Sequence, residues 1–236
     1  MKVLNDLPIL FSAPMVLAQL REVEAPGTGK TQTRRLFKPQ PTMHPQGDCS
    51  INGHRGPVDY LMREVAPKFW TRFKKGQRLW VRETWRTGKS LDEHSPAKIE
   101  EMVKEAGYRR PWCPVRYVAD GFTEGNVADF GGLWGKARVA IHMPRWLSRL
   151  TLAVTDVRVQ RLQDISEEDA LAEGVMKIGR RWEVDDIVAT PLGAVDAYRS
   201  LWNYINGASI WDANPWVCAV SFQVHHQNID SLKAAA

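Results

Sequence analysis

The chain has 236 residues, 44% hydrophobic and 25% charged, with 32 Lys+Arg against 27 Asp+Glu for a formal net charge of +5. That length suits one large domain, and the composition is too ordinary for a disordered, collagen-like or coiled-coil protein. No window approaches the ~18 uninterrupted apolar residues of a membrane span, and the N-terminus lacks a secretory leader's apolar run and cleavage site. A cytoplasmic protein with no membrane partner is expected. Cys49, Cys113 and Cys218 are scattered and odd in number, which fits a reducing compartment and offers no paired zinc ligands.

Residues 12–23 carry Val16, Leu20 and Val23 at helical spacing, with Ser12 as candidate N-cap and Pro14 in the first turn. The breaker cluster Ala25-Pro26-Gly27-Thr28-Gly29 ends this helix just before Lys30. Residues 38–75 hold five prolines with little periodicity and read as an irregular insertion with at most a short helix near 60–65. Residues 77–85 alternate as a strand, and 91–107 read as a charged helix inside a second insertion, 86–113. Strand patterns follow at 115–119, 138–143 and 150–159.

Ser166-Glu167-Glu168-Asp169 is a capping-box pattern with Ile165 placed as staple; it opens a short helix that Gly174 closes. A further helix spans 194–205, with Val195, Tyr198, Leu201, Trp202 and Ile205 on its apolar face. The last strand, 216–224, shows the clearest period of two, and a short tail, 231–236, follows it. Strands without regular crossover helices predict a single α+β domain over 1–230, a small, mostly antiparallel curved sheet or barrel with a few packed helices.

The run Gly27-Thr28-Gly29-Lys30-Thr31 imitates a phosphate-binding loop. Glu24 stands at the leading glycine position, a helix rather than a strand precedes the loop, and Pro39 and Pro41 crowd the helix that should follow. Read instead as extended chain, Lys30, Gln32 and Arg34 share one face and Thr31, Thr33 and Arg35 the other. The plainest reading is an exposed basic turn, with Lys30 and Thr33 at exposed positions. The six histidines lack metal-ligand spacing and there is no G-x-S-x-G elbow, so neither a metal, a cofactor nor a serine hydrolase is expected. Basic doublets at Arg34-Arg35, Lys74-Lys75, Arg109-Arg110 and Arg180-Arg181 permit an anionic partner. Ten Trp supply either core or stacking surface.

Several motifs in order carry a resemblance: Pro8-Ile9-Leu10-Phe11, Gly29-Lys30-Thr31 with Thr33 and Arg35, the run from Gly76 to Trp85, Ile141-His142-Met143-Pro144-Arg145-Trp146, Asp164-Ile165-Ser166-Glu167-Glu168-Asp169-Ala170, and the closing Trp211-Asp212-Ala213-Asn214-Pro215-Trp216. Together they resemble the ASCH-domain proteins of the PUA-like superfamily, in the long form found in phages and prophages. The resemblance implies a small β-barrel with helices around a cleft. A much shorter bacterial member is an N4-acetylcytidine amidohydrolase relying on a Lys, a Thr three residues later and a Glu in a later short helix, which match Lys30, Thr33 and Glu173. Glu167 and Glu168 lie near enough to compete for the third role.

These implied residues suit the reaction. Cleaving an N4-acyl amide of cytosine needs a nucleophile, charge stabilisation on the carbonyl oxygen and a proton for the leaving nitrogen. Thr33 serves as nucleophile or orients water, Lys30 as base once burial lowers its pKa, and Glu173 as proton shuttle. Arg35, similar to a family position, is the candidate for holding base or oxyanion. Trp80, Glu83 and Trp85 are the further substrate-binding candidates, a core role being the alternative for each Trp. The expected partner is a small modified nucleoside or base; RNA is the second candidate, through a PUA-like binding module or a ribonuclease.

Overall fold

The computed structural model describes residues 5–107, 112–121, 134–179, 181–184, 187–189 and 193–232; Arg109, Arg110, Arg180 and the tail from residue 233 lie outside them. In chain order the first elements are β1 (Leu7–Leu10), α1 (Ala13–Glu24) and β2 (Gln32–Leu36). The first insertion holds β3 (Thr42–Met43), β4 (Asp48–Ile51), β5 (His54–Pro57) and a π-helical turn (Tyr60–Val65) running into α2 (Ala66–Phe69). Then come β6 (Arg78–Arg82), β7 (Trp85–Thr87), α3 (Pro96–Glu105), β8 (Val115–Tyr117), β9 (Thr151–Arg161) and α4 (Glu167–Ala172). The chain closes with β10 (Met176–Ile178), β11 (Arg181–Val184), β12 (Ile187–Ala189), α5 (Ala194–Asn206) and β13 (Trp216–His225). No helix among the described residues is long and apolar enough to cross a membrane.

The architecture is α+β, with mostly antiparallel sheets and few helices. Its centre is a five-stranded sheet in the order β1-β6-β9-β13-β2, antiparallel except for β1 with β6. Strand β13 lies inside the sheet, between β9 and β2, and its alternation is apolar: Cys218, Val220 and Phe222 enter the main core with Leu152 and Val154 of β9 and Tyr198, Leu201 and Trp202 of α5. Thr155 is an extra residue in β9, since Val154 faces Phe222 while Asp156 faces Ser221. Such a bulge bends and twists the pair.

The sheet coils strongly. In a flat sheet four strand spacings would hold the β1 and β2 edges ~19 Å apart, yet Arg35 Nη2 of β2 donates to the Leu10 carbonyl of β1 at 2.6 Å. The edges nonetheless do not pair, so among the described residues the expected barrel is not closed. The Leu10 carbonyl, which a closing ladder would need, accepts a side chain instead, and the seam between the two edges stays open as a cleft.

Two further expectations need correction. The insertion at 38–75 is not merely irregular: β3, β4 and β5 form a three-stranded antiparallel sheet whose second turn, Asn52-Gly53, has positive φ at both positions, as a two-residue hairpin demands. It packs Cys49, Ile51, Leu61 and Met62 on Val159 and Trp216 of the main sheet. The expected strand at 138–143 is a single bridge from Arg138 to Trp85 followed by a 3-10 turn, Ala140–His142, and Val139 and Ile141 are exposed rather than buried on a sheet face.

The glycine-rich loop after α1 is shaped by packing. Its Gly27 and Gly29 amides donate to the Glu22 carboxylate at 2.9–3.0 Å, so the donors a phosphate loop would offer are already taken. Gly29 lies so close to α1 that a β-carbon there would sit 2.3 Å from the Ala18 carbonyl oxygen, and the next residue, Lys30, donates its own amide to that oxygen at 3.0 Å. Gly29→Ala is therefore expected to cost about 1–3 kcal/mol, the usual range for forced overpacking. Urea unfolding measures this, and an unchanged midpoint would show that the loop is not held against α1.

Candidate active site

Three residues on one face of the chain entering and forming β2 meet two acids on α4 and its C-cap. Alternate strand residues are ~6.7 Å apart and helix residues i and i+4 are ~6 Å apart, so the two periods match over one turn. Asp169 and Glu173 have that helical spacing. Lys30 Nζ donates to Glu173 Oε2 at 2.7 Å and to the Glu173 carbonyl at 2.6 Å. Arg34 reaches both acids, Glu173 Oε1 at 3.2 Å and Asp169 Oδ2 at 2.6 Å, and also Gln32 Oε1 at 2.5 Å. Gln32 in turn donates to Asp169 at 3.0 Å.

The local sequence explains how these groups are held. Ser166 caps α4 by accepting from the Asp169 amide, as the capping pattern predicts, while the Glu167 carboxylate accepts from the Ala194 amide at the start of α5. Glu173 is the C-cap, and Gly174 takes the positive φ of +101° that ends the helix. The Thr31 amide donates to the Ala172 carbonyl at 2.8 Å, tying the Lys30 strand to the end of α4.

Lys30, Thr33 and Glu173 are 2%, 4% and 2% exposed, so the alternative of an exposed basic turn and a surface carboxylate is overturned. The physical reason is pairing: a charge enters the interior when its counter-charge and remaining hydrogen bonds come with it. Burial pulls the Lys30 amine below its ordinary pKa; Glu173 opposes this, and the charges of Arg35 and Arg34 add to it. Burial works to raise the Asp169 carboxyl, but Gln32, Arg34 and Arg158 outweigh it and hold the group below its ordinary value. Tyr198 of α5 is pushed well above the phenol range, by burial first and by the charge of Glu173 next, and its ring lies 5.9 Å from the Arg34 guanidinium carbon.

Lys30, Thr33, Arg35 and Glu173 line one cavity of about 560 Å³, walled by Phe11 and Met15 on one side and Tyr198, Leu201 and Trp202 on the other. Arg35 differs from Arg34: it is exposed, stacks over Phe11 at 5.3 Å and stands in the mouth of the cavity. The other three binding candidates do not line it. Trp80 is buried in β6 with Arg82 over its ring at 4.4 Å. Glu83 is gripped by Arg149 at 2.9 and 3.0 Å; burial raises its pKa and Arg149 opposes that rise. Trp85 is fully buried against Ile99, Met143 and Leu147. All three are held in the interior by different partners: Trp80 on the Arg82 face of β6, Glu83 past the end of β6 by Arg149, and Trp85 at the start of β7 by the cluster around Ile99.

Sequence reasoning missed Arg34, Asp169 and Tyr198. The signals existed: Arg34 shares the Lys30 face in an extended chain, and Asp169 stands one helical turn before Glu173. Among the described residues no three His, Cys, Asp or Glu side chains converge as metal ligands. Compared with models of protein families, with curated proteins and with solved structures, the chain matches none of them.

The cluster makes a prediction about stability. Glu173→Ala leaves two buried cations short of their shared counter-charge and should cost about 3–5 kcal/mol. Lys30→Met combined with Glu173→Leu removes charge in balance, since Arg34 keeps Asp169, and should recover a large part of that loss. Denaturant unfolding of the single and double variants checks it; a double variant less stable than Glu173→Ala would contradict the pairing.

Proposed function

We propose that the chain is an ASCH-type, PUA-like amidohydrolase that cleaves the N4-acyl amide of an acylated cytosine nucleoside, giving cytidine or cytosine and a carboxylate. The observation that carries this reading is the Lys30 amine: buried, lowered in pKa, and with two donors directed to Glu173 in an apolar-walled cavity that Thr33 also lines. A neutral amine has two N–H groups and one lone pair. With both N–H groups on Glu173, the remaining tetrahedral position of Nζ is the lone pair, and it is available as a base.

In this reading Lys30 takes the proton of the Thr33 hydroxyl as its oxygen bonds to the acyl carbon. The amide oxygen becomes an oxyanion, for which Arg35 in the cavity mouth supplies positive charge. The C–N bond then breaks and the exocyclic nitrogen receives the proton carried from Lys30 through Glu173. Water, deprotonated by the same amine, adds to the Thr33 ester; the C–O bond to Thr33 breaks, its oxygen takes the proton back from Lys30, and the carboxylate is released. Arg34, which also lines the cavity, holds Glu173, and Asp169 holds Arg34; both act here as positioning residues. The apolar wall of Phe11, Met15, Leu201 and Trp202 suits an acyl chain, so benzoyl as well as acetyl derivatives are expected to turn over.

Lys30→Met and Thr33→Val should each lower turnover of N4-acetylcytidine by about 10² to 10⁴, the usual worth of a positioned proton-transfer group or nucleophile. Groups acting in concert give non-additive losses, so the double variant should be scarcely worse than the poorer single one. Glu168→Ala, at an exposed position, is the control expected to keep wild-type rates; Glu167→Ala is unsuitable because that carboxylate caps α5. Steady-state release of cytidine measures all four. Full activity in Lys30→Met would sink the mechanism.

A further inference from the structure

The Lys30 cavity opens into a second cleft of about 710 Å³ across a shared wall that includes Leu10, Arg35 and Lys38. This second cleft is the open seam between β1 and β2, roofed by residues 70–73 of the first insertion. Its charged lining is Arg35, Lys38, Arg72 and Arg82, with no carboxylate among the lining residues. None of these four forms an ion pair among the described residues, although ion pairs are common elsewhere on the chain.

Three guanidiniums are instead aimed by backbone carbonyls. Arg35 donates to Leu10 at 2.6 Å, Arg72 to Pro8 at 3.3 Å and Arg82 to Ile141 at 3.0 Å. Each contact uses one of five donors and neutralises nothing. Arg82 Nε is buried without a partner. Burial lowers the Arg82 pKa and the charge of Arg72 lowers it further, so the arginines repel one another across the cleft. Convergent cations held without a counter-ion in a partly desolvated cleft form a preorganised anion site, and the planar fork of arginine fits phosphate oxygens two at a time.

We infer that this cleft binds a phosphate group of the substrate, so that the molecule whose acylated base enters the Lys30 cavity is a nucleotide rather than a bare nucleoside. The role of the base rests on the amidohydrolase reading; the phosphate site does not. The phosphate belongs either to a free mononucleotide, as a monoester, or to a nucleotide within an RNA strand, as a diester, and both present anionic phosphate oxygens to Arg72 and Arg82.

Equilibrium binding separates these cases. Cytidine, its 5′- and 3′-monophosphates and a short single-stranded RNA containing cytidine are titrated into the wild type, Arg72→Gln and Arg82→Gln at low and raised salt. At low salt at least one monophosphate should bind about tenfold or more tightly than cytidine, with each variant cutting that preference severalfold, as expected for charged hydrogen bonds. RNA binding tighter than the monophosphates, with a salt slope reporting several neutralised phosphates, identifies a strand as the source; equal affinities identify the free nucleotide. Equal affinity of cytidine and both monophosphates for the wild type, or a preference undiminished in both variants, overturns the inference. If a monophosphate is preferred but neither N4-acetylcytidine nor its phosphate is hydrolysed, the amidohydrolase reading fails while the phosphate site stands.

Discussion

One buried carboxylate organises the active half of the molecule. Glu173 sits at the end of a short helix, where the macrodipole disfavours a negative charge, and far enough inside that leaving it without hydrogen-bonding partners would be costly. Lys30 and Arg34 offset both costs; Lys30 needs Glu173 in turn because it could not be buried alone, while Arg34 also has Asp169. The arrangement forces α4 against β2 in one register, with Asp169 over Gln32 and Arg34 and with Glu173 over Lys30. Gly174 follows from it, since a β-carbon there would lie 3.4 Å from the Lys30 β-carbon in a backbone conformation that side chains rarely adopt.

The second constraint is the coil of the central sheet. Strands β9 and β13 are long enough to accumulate twist, and the extra residue at Thr155 adds to it, so edges four strand spacings apart come within reach of one arginine. Because the edges approach without pairing, the sheet presents a seam instead of a closed wall. The cavity of Lys30 and the basic cleft lie along that seam, joined at Arg35 and Lys38. Both chambers mix apolar walls with cations, but only the first holds a carboxylate, Glu173, among its lining residues.

Much of this was legible in the sequence where a local rule governs: the alternation of β13, the capping pattern at Ser166 and the breaker cluster after α1 each produced the element they predict. The five-stranded sheet could be anticipated as curved but not as open, because closure depends on which group takes the Leu10 carbonyl. The insertion carried a hairpin signal at Asn52-Gly53 that its prolines obscured. Lys30, Thr33 and Glu173 could be brought together through a family resemblance, but not buried: charge and polarity argue for exposure until the partner from a distant segment is known. For Trp80, Glu83 and Trp85 an alternating strand reveals two faces without revealing which one looks into a cavity, and here they serve the packing of β6 and β7.

The account turns on the Lys30 amine acting in its neutral form, and the pH dependence of kcat/KM for N4-acetylcytidine hydrolysis by the wild-type protein tests this most directly. Burial places the folded pKa of Lys30 below the ordinary amine value of 10.5. The rate should therefore climb tenfold per pH unit while the amine is protonated, then level off at a pH below that ordinary value as the lone pair becomes available. A rate that declines with rising pH across the same range, or no hydrolysis at any pH by folded protein, would contradict the account.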